Sequence, residues 1–102
     1  MSTLHTVNKS PFGNGAFLSC LKHCKPGDAV LLIEDGVYGA IEGSAVAAEV
    51  KAELDEVALY VLDGDAKARG IDAGRMLGDA TTVGYDGFVD LVAEHDRTQS
   101  WL

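Results

Sequence analysis

The chain has no apolar run approaching the roughly 20 residues that a membrane-spanning helix needs. Its opening, MSTLHTVNK, lacks the basic start and apolar core of a signal peptide. The expected location is therefore the cytoplasm, with no membrane partner. Positive charge is also scarce. Eight Lys and Arg stand against 16 Asp and Glu, a formal charge of −8, which disfavours direct contact with nucleic acid or an anionic membrane. Cysteines number two, Cys20 and Cys24, and no second Cys or His pair follows at a zinc spacing, so no metal is expected. Neither GxGxxG nor a P-loop with its Lys is present, and no carboxylate pair has a spacing that argues hydrolase chemistry. The expectation is no cofactor and no catalytic apparatus of its own. Linkers, low-complexity segments and internal repeats are missing too, which makes residues 1–102 one domain.

What is present is an alternation of strand and helix patterns. Leu4 to Val7 is a short apolar run with β-branched members. Ser10 and Pro11 then offer a cap and a first position for a helix. Phe17, Cys20, Leu21 and Cys24 fall at i, i+3, i+4 and i+7, one apolar helical face, and Pro26 and Gly27 end it. Ala29 to Ile33 is a continuous apolar run suited to a strand buried on both faces of a parallel sheet. Further along, a helical stretch spans Ser44 to Leu54, a strand Val57 to Leu62, a short helix Gly64 to Gly70, and a modest fourth strand Thr81 to Val83. Asp86 is placed to cap a last helix, Gly87 to Glu94, with Phe88, Leu91 and Val92 as its buried face. Strands alternating with helices over short connections predict right-handed crossovers and a mainly parallel sheet flanked by helices, a small three-layer α/β sandwich.

In such sheets, function gathers at the carboxyl ends of the strands, here the loops beginning at Asn8, Glu34 and Asp63. The first reads SPFGNG, whose Gly13 and Gly15 have backbone amides to offer an anion. The other two, EDG and DGD, are acidic and repel phosphate; turn and capping roles explain them. In the cytoplasm both cysteines are expected as free thiols. A disulfide between them on a regular helix is disfavoured, since i, i+4 side chains start about 5 to 6 Å apart at Cβ. Cys24 sits at the negative end of the helix dipole, which disfavours a thiolate. Cys20 has Lys22, His23 and Lys25 nearby, and is the candidate for thiol chemistry if the helix borders a groove. Of the histidines, His5 in an apolar strand reads as a core residue, and His95 closes the last helix. Trp101, next to the C-terminus, needs a pocket, either on its own domain or at a subunit interface.

Several segments together carry a resemblance: LHTVNKSP, the PGD before the second strand, LLIEDGV, DGDAKARG, YDGFVDL and the terminal QSW. In this order they resemble the DsrH and TusB family of sulfur-relay subunits, over nearly the whole chain. The resemblance implies a flavodoxin-like or Rossmann-like (DsrE-like) fold. It also implies association with DsrE-like and DsrF-like paralogous subunits, two copies of each chain, and a downstream sulfur-acceptor protein of the DsrC or TusE type. In that family the defining sulfur-bearing cysteine lies on the DsrE or TusD type subunit. The matching segment here, DGDAKARG, holds no cysteine, which argues against independent sulfurtransferase activity. Cys20, a DsrH-like feature, is then the possible persulfide carrier and favours a role in intracellular sulfur oxidation. The alternatives are the TusB-like role, supplying sulfur for 2-thiolation of a tRNA wobble uridine, and a stand-alone α/β module that binds a small molecule.

Overall fold

The computed structural model describes residues 2–102. Five strands, β1 (Thr3–Val7), β2 (Ala29–Leu32), β3 (Ala58–Leu62), β4 (Ala80–Val83) and β5 (Arg97–Trp101), form one sheet in the order β4-β3-β2-β1-β5, every pair parallel. Between them lie α1 (Ala16–His23), α2 (Ala47–Glu53), α3 (Asp63–Ala68) and α4 (Tyr85–Glu94), with 3-10 helices over Glu34–Ala40 and Ala73–Arg75. The expected α/β sandwich with a parallel sheet is the observed architecture.

The handedness of the crossovers distributes the helices. From β1 to β4 the chain steps steadily toward one edge, and its connections lie on one face. There Phe17, Cys20, Leu21, Val50 and Ala66 pack on Val7, Val30, Leu32, Leu59 and Val61. The return from β4 to β5 crosses the sheet in the opposite direction, so a right-handed connection must run over the other face. There α4 is the only helix among the described residues, and its Leu91 packs on Leu4, Ala29 and Leu31.

Several details differ from the sequence reading, among them the start of α4 at Tyr85, where Gly84 rather than Asp86 holds the cap position. The first helix starts at Ala16, because Asn14 rather than Ser10 accepts from its first turn: Ala16 N–H donates to Asn14 Oδ1 at 2.8 Å. Ser10 instead holds a turn, its Oγ accepting from Phe12 N–H at 3.2 Å. Helix α1 also stops one residue early, leaving Cys24 extended at φ −68°, ψ 147°. On α4, Leu91 is buried and Phe88 half-buried, but Val92 is exposed. The last strand was not foreseen, since RTQSW carries one large apolar residue and no alternation; the parallel register Thr3↔Arg97 to Val7↔Trp101 holds it.

The carboxyl ends of β1 and β2 are closed by backbone contact. A Cβ at Gly36 would run into the Val7 carbonyl oxygen. Replacing Gly36 by Ala is expected to cost about 3 kcal/mol or prevent folding, as overpacking against immovable backbone does. A chemical denaturation midpoint unchanged from the parent would refute this packing.

Candidate functional site

Two of the three loops expected to carry function, those beginning at Glu34 and Asp63, are occupied in holding one another. Glu34, at φ 49°, donates its N–H to Asp65 Oδ2 at 2.7 Å. Arg69 Nε donates to Asp35 Oδ1 at 2.9 Å and its Nη1 to the Asp65 carbonyl at 3.1 Å, and Lys67 pairs with Asp63 at 3.1 Å. The acidic segments are structural ties, as their turn reading implied.

A groove of about 520 Å³ lies elsewhere, on the α1 face toward the amino ends of β1 and β5, lined by Thr3, His5, His23, Lys25, Asp28 and Trp101 among others. It exists because β5, added beyond β1, extends the sheet past the width that α1 covers. Lys25 and Arg97 at its wall gather positive charge in a chain whose balance is strongly negative.

Its floor is a chain of hydrogen bonds around Asp28. The Asp28 carboxylate is 5% exposed and accepts three bonds: Thr3 N–H at 3.0 Å, Lys25 N–H at 3.1 Å and His5 Nε2 at 3.0 Å. Burial pushes this carboxyl up, but the His5 bond and the two amides outweigh it and hold the group below its usual range. On the other side of the ring, Trp101 Nε1–H donates to His5 Nδ1 at 3.0 Å. Indole nitrogen only donates, so Nδ1 carries the lone pair and Nε2 carries the hydrogen that faces Asp28. The network thus fixes a neutral imidazole in one tautomer. Trp101 also packs against His23, with ring centroids 5.7 Å apart, so of the two roles open to this residue the structure shows the intramolecular one.

The two cysteines lie directly beside this network. Donor atoms of His5, Cys20 and Cys24 all fall within 4.8 Å of one another. Cys20 is fully buried and Cys24 half-buried. A hydrogen bond shared with Cys24, then burial, pushes the Cys20 thiol strongly up, while the same bond draws the Cys24 thiol down against its own burial. Of the two, Cys20 is the thiol held neutral and Cys24 the one drawn toward thiolate. The thiol with both access and thiolate character is Cys24, despite its place after a helix C-terminus, because its extended backbone takes it out of the helical turn. The residue that sequence spacing did not connect to the cysteines is His5. It comes from a different strand, and only the packing of α1 across β1 brings it there. His95 behaves as expected, its Nδ1–H donating to the Leu91 carbonyl at 2.7 Å, and His23 caps α1 in the same way through Ser19 at 2.7 Å.

Comparison with known proteins places the chain in a family. A family model described as DsrH like protein matches residues 9–98. Protein TusB of Erwinia tasmaniensis is 39% identical over 99 residues, covering 96% of this chain and 99% of that protein. Protein TusB of Escherichia coli O81 is 32% identical over 98 residues with the same coverage. Among solved structures, the E. coli ychN protein superposes with a TM-score of 0.75 at 12% identity, over 98% of this chain and 99% of that one. A protein of unknown function from Methanobacterium thermoautotrophicum does so with 0.75 at 15% identity, over 97% and 96%. At those identities the likeness is one of fold alone.

Two outcomes follow from the geometry. Because the folded-state pKa of Asp28 is depressed, its contribution to stability is full above about pH 4, the ordinary carboxylate value. It is lost as pH falls through the folded value. Asp28→Asn should flatten this acid limb and cost about 2 kcal/mol at neutral pH, read by urea unfolding at a series of pH values; an unchanged limb would contradict the network. Brief iodoacetamide treatment at neutral pH should alkylate Cys24 and spare Cys20 until the protein is unfolded, and equal labelling of both in peptide mass maps would contradict the assignment of accessibility.

Proposed function

The chain belongs to the DsrH-like family, and from that premise we propose that it is a subunit of a cytoplasmic sulfur-relay complex without independent catalytic activity. Sulfur moves through such a complex as cysteine persulfide. An acceptor thiolate attacks the outer sulfur of a donor persulfide, the S–S bond breaks, and the donor thiolate leaves. The observation that carries this reading is the near full-length likeness to proteins named TusB. It favours, as the destination, delivery of sulfur for 2-thiolation of a tRNA wobble uridine. The chain's own acidity makes any tRNA contact indirect. One specific feature favours the second destination, a DsrEFH-like complex in the oxidation of stored sulfur: Cys20, with its thiol neighbour Cys24. In either, Cys20 as persulfide carrier takes sulfur by way of a movement at the end of α1, because it is sealed in the core.

The partners are paralogous α/β chains of the DsrE-like and DsrF-like type, two copies of each, with a DsrC- or TusE-type acceptor downstream. A surface suited to them lies on α4. Tyr85, Phe88, Val89 and Val92 fall at i, i+3, i+4 and i+7, and Tyr85, Val89 and Val92 are exposed at 71%, 66% and 43%. Asp86, Asp90 and Glu94 run alongside at i, i+4 and i+8. Two copies of this chain pairing these helices antiparallel would set acidic rows against each other, whereas an apolar partner surface with a basic border fits.

Native mass spectrometry of the complex gently isolated from its own cells tests the reading. The expected result is a mixed assembly with paralogous chains, sulfur adducts on a partner or on Cys20, and loss of this chain from the assembly on Val89→Asp with its own melting unchanged. A lone monomer or homodimer without sulfur adducts overturns it, and sulfur flow unchanged by Cys20→Ser removes the carrier role.

A further inference from the structure

We propose that Cys20 Sγ, Cys24 Sγ and the His5 imidazole form a three-coordinate site for a soft, closed-shell cation, Cu(I). The site rests on the geometry alone and not on the relay reading. Two sulfurs and an imidazole nitrogen already lie within 4.8 Å of one another, in surroundings that bury Cys20 and His5 and half-bury Cys24. Thiolate sulfur with imidazole is the donor set that soft first-row ions prefer. Zinc is the weaker fit, because it takes four ligands in a closed site, and among the described residues no fourth His, Cys, Asp or Glu joins this group. Donors about 2.0 to 2.3 Å from a metal sit less than about 4 Å from one another, so closing the ring needs side-chain rotations on the order of 1 Å. Cys24 has that freedom because its backbone is extended past the helix end.

The imidazole is oriented as a ligand would be. Asp28 accepts from Nε2–H at 3.0 Å, the carboxylate–histidine pairing that stands behind metal-bound imidazoles and raises their basicity. That leaves Nδ1 as the coordinating atom. In the metal-free chain its lone pair is covered by Trp101 Nε1–H at 3.0 Å, so the indole must swing away for the ion to enter. Coordination is not a redox step. The ion enters and leaves as Cu(I), the thiols lose their protons to solvent, and two sulfur–copper bonds and one nitrogen–copper bond form. A thiolate so engaged has its charge drawn into the sulfur–copper bond and is a weaker nucleophile, so the ion and a sulfane sulfur compete for these two cysteines.

The experiment is an anaerobic titration of the reduced full-length chain with Cu(I) against a coloured Cu(I) chelator. Trp101, the sole tryptophan, supplies a second readout through its emission. The expected result is one equivalent bound, a change in emission that saturates at the same point, and a first shell of two sulfurs and one nitrogen by X-ray absorption. Cys24→Ser and Cys20→Ala should each weaken binding about tenfold or more, the scale on which even outer-shell losses act. Trp101→Phe keeps the aromatic packing, frees Nδ1, and should tighten binding several-fold. No competition with the chelator, full affinity in both cysteine variants, a sulfur-only shell, or weaker binding in Trp101→Phe overturns the site. With no sulfur donor present, such a failure bears on the metal site alone; a lone, sulfur-free monomer isolated from cells bears on the relay alone.

Discussion

Burying a carboxylate costs several kcal/mol unless hydrogen bonds replace the water it gives up, and Asp28 meets that demand with three donors from two parts of the chain, β1 and the turn after α1. Thr3 N–H comes from the start of β1, Lys25 N–H from the turn after α1, and Nε2–H from His5 within β1. The bonds fix where β1 begins relative to β2 and how tightly the α1–β2 turn closes. They also fix which way the His5 ring faces. The consequences continue outward. A ring held with its lone pair on Nδ1 provides the acceptor for Trp101, and Trp101 is the large apolar residue that anchors an otherwise polar edge strand. The last strand is thus held partly through a carboxylate 73 positions earlier in the chain, by way of one imidazole.

The same topology divides the surface into two regions of different chemistry. Because the β4-to-β5 connection must cross on its own face, a single helix of ten residues covers a sheet of five strands there. One helix side is satisfied by Leu91 on Leu4 and Leu31; the other has no partner among the described residues and keeps Tyr85, Val89 and Val92 in water. On the opposite face α1, α2 and α3 form one layer over the core, and the uncovered margin over β1 and β5 is polar and locally basic. A surface of this kind suits assembly through α4 and leaves the cysteine–histidine cluster and its groove on the far side of the sheet, out of that contact.

The fold was legible in the sequence because it depends on patterns that are local. Apolar runs such as Ala29–Leu32 and Ala58–Leu62 sit between turn residues, and crossover handedness then leaves few arrangements. Helix α1 was legible as a face but not in its limits, since the Ser10–Pro11 start signal is used for a turn and the helix begins after Gly15, which offers no side-chain cap. Strand β5 was not legible, because an edge strand of polar residues has no periodic signal. The same applies to the cluster. Cys20 and Cys24 share a helix face by spacing, but His5 reaches them only because β1 lies beneath α1, and no local pattern encodes that distance. Val92 was misjudged for a related reason: a helix with apolar residues on two sides does not reveal which side meets the sheet.

The proton arrangement in the cluster explains how two thiols with the same sequence surroundings come to differ. In isolation each has the same chemistry. Bringing them together with a single hydrogen bond makes their states unequal, because one sulfur must donate and the other accept. Burial decides which. The wholly buried Cys20 gains most by staying neutral, so it keeps its proton, while Cys24, nearer solvent, receives the bond and is drawn toward thiolate. His5 does not act as the base for either, since Trp101 occupies its lone pair for as long as the indole remains seated. Displacing Trp101 therefore changes the chemistry of the cluster more than any change at the cysteines themselves: it exposes a lone pair already aligned by Asp28, next to two sulfurs, one of them already poised to ionise. The edge strand that holds Trp101 is polar and near the C-terminus. The residue that covers the imidazole lone pair is thus carried by an edge strand exposed along most of its length.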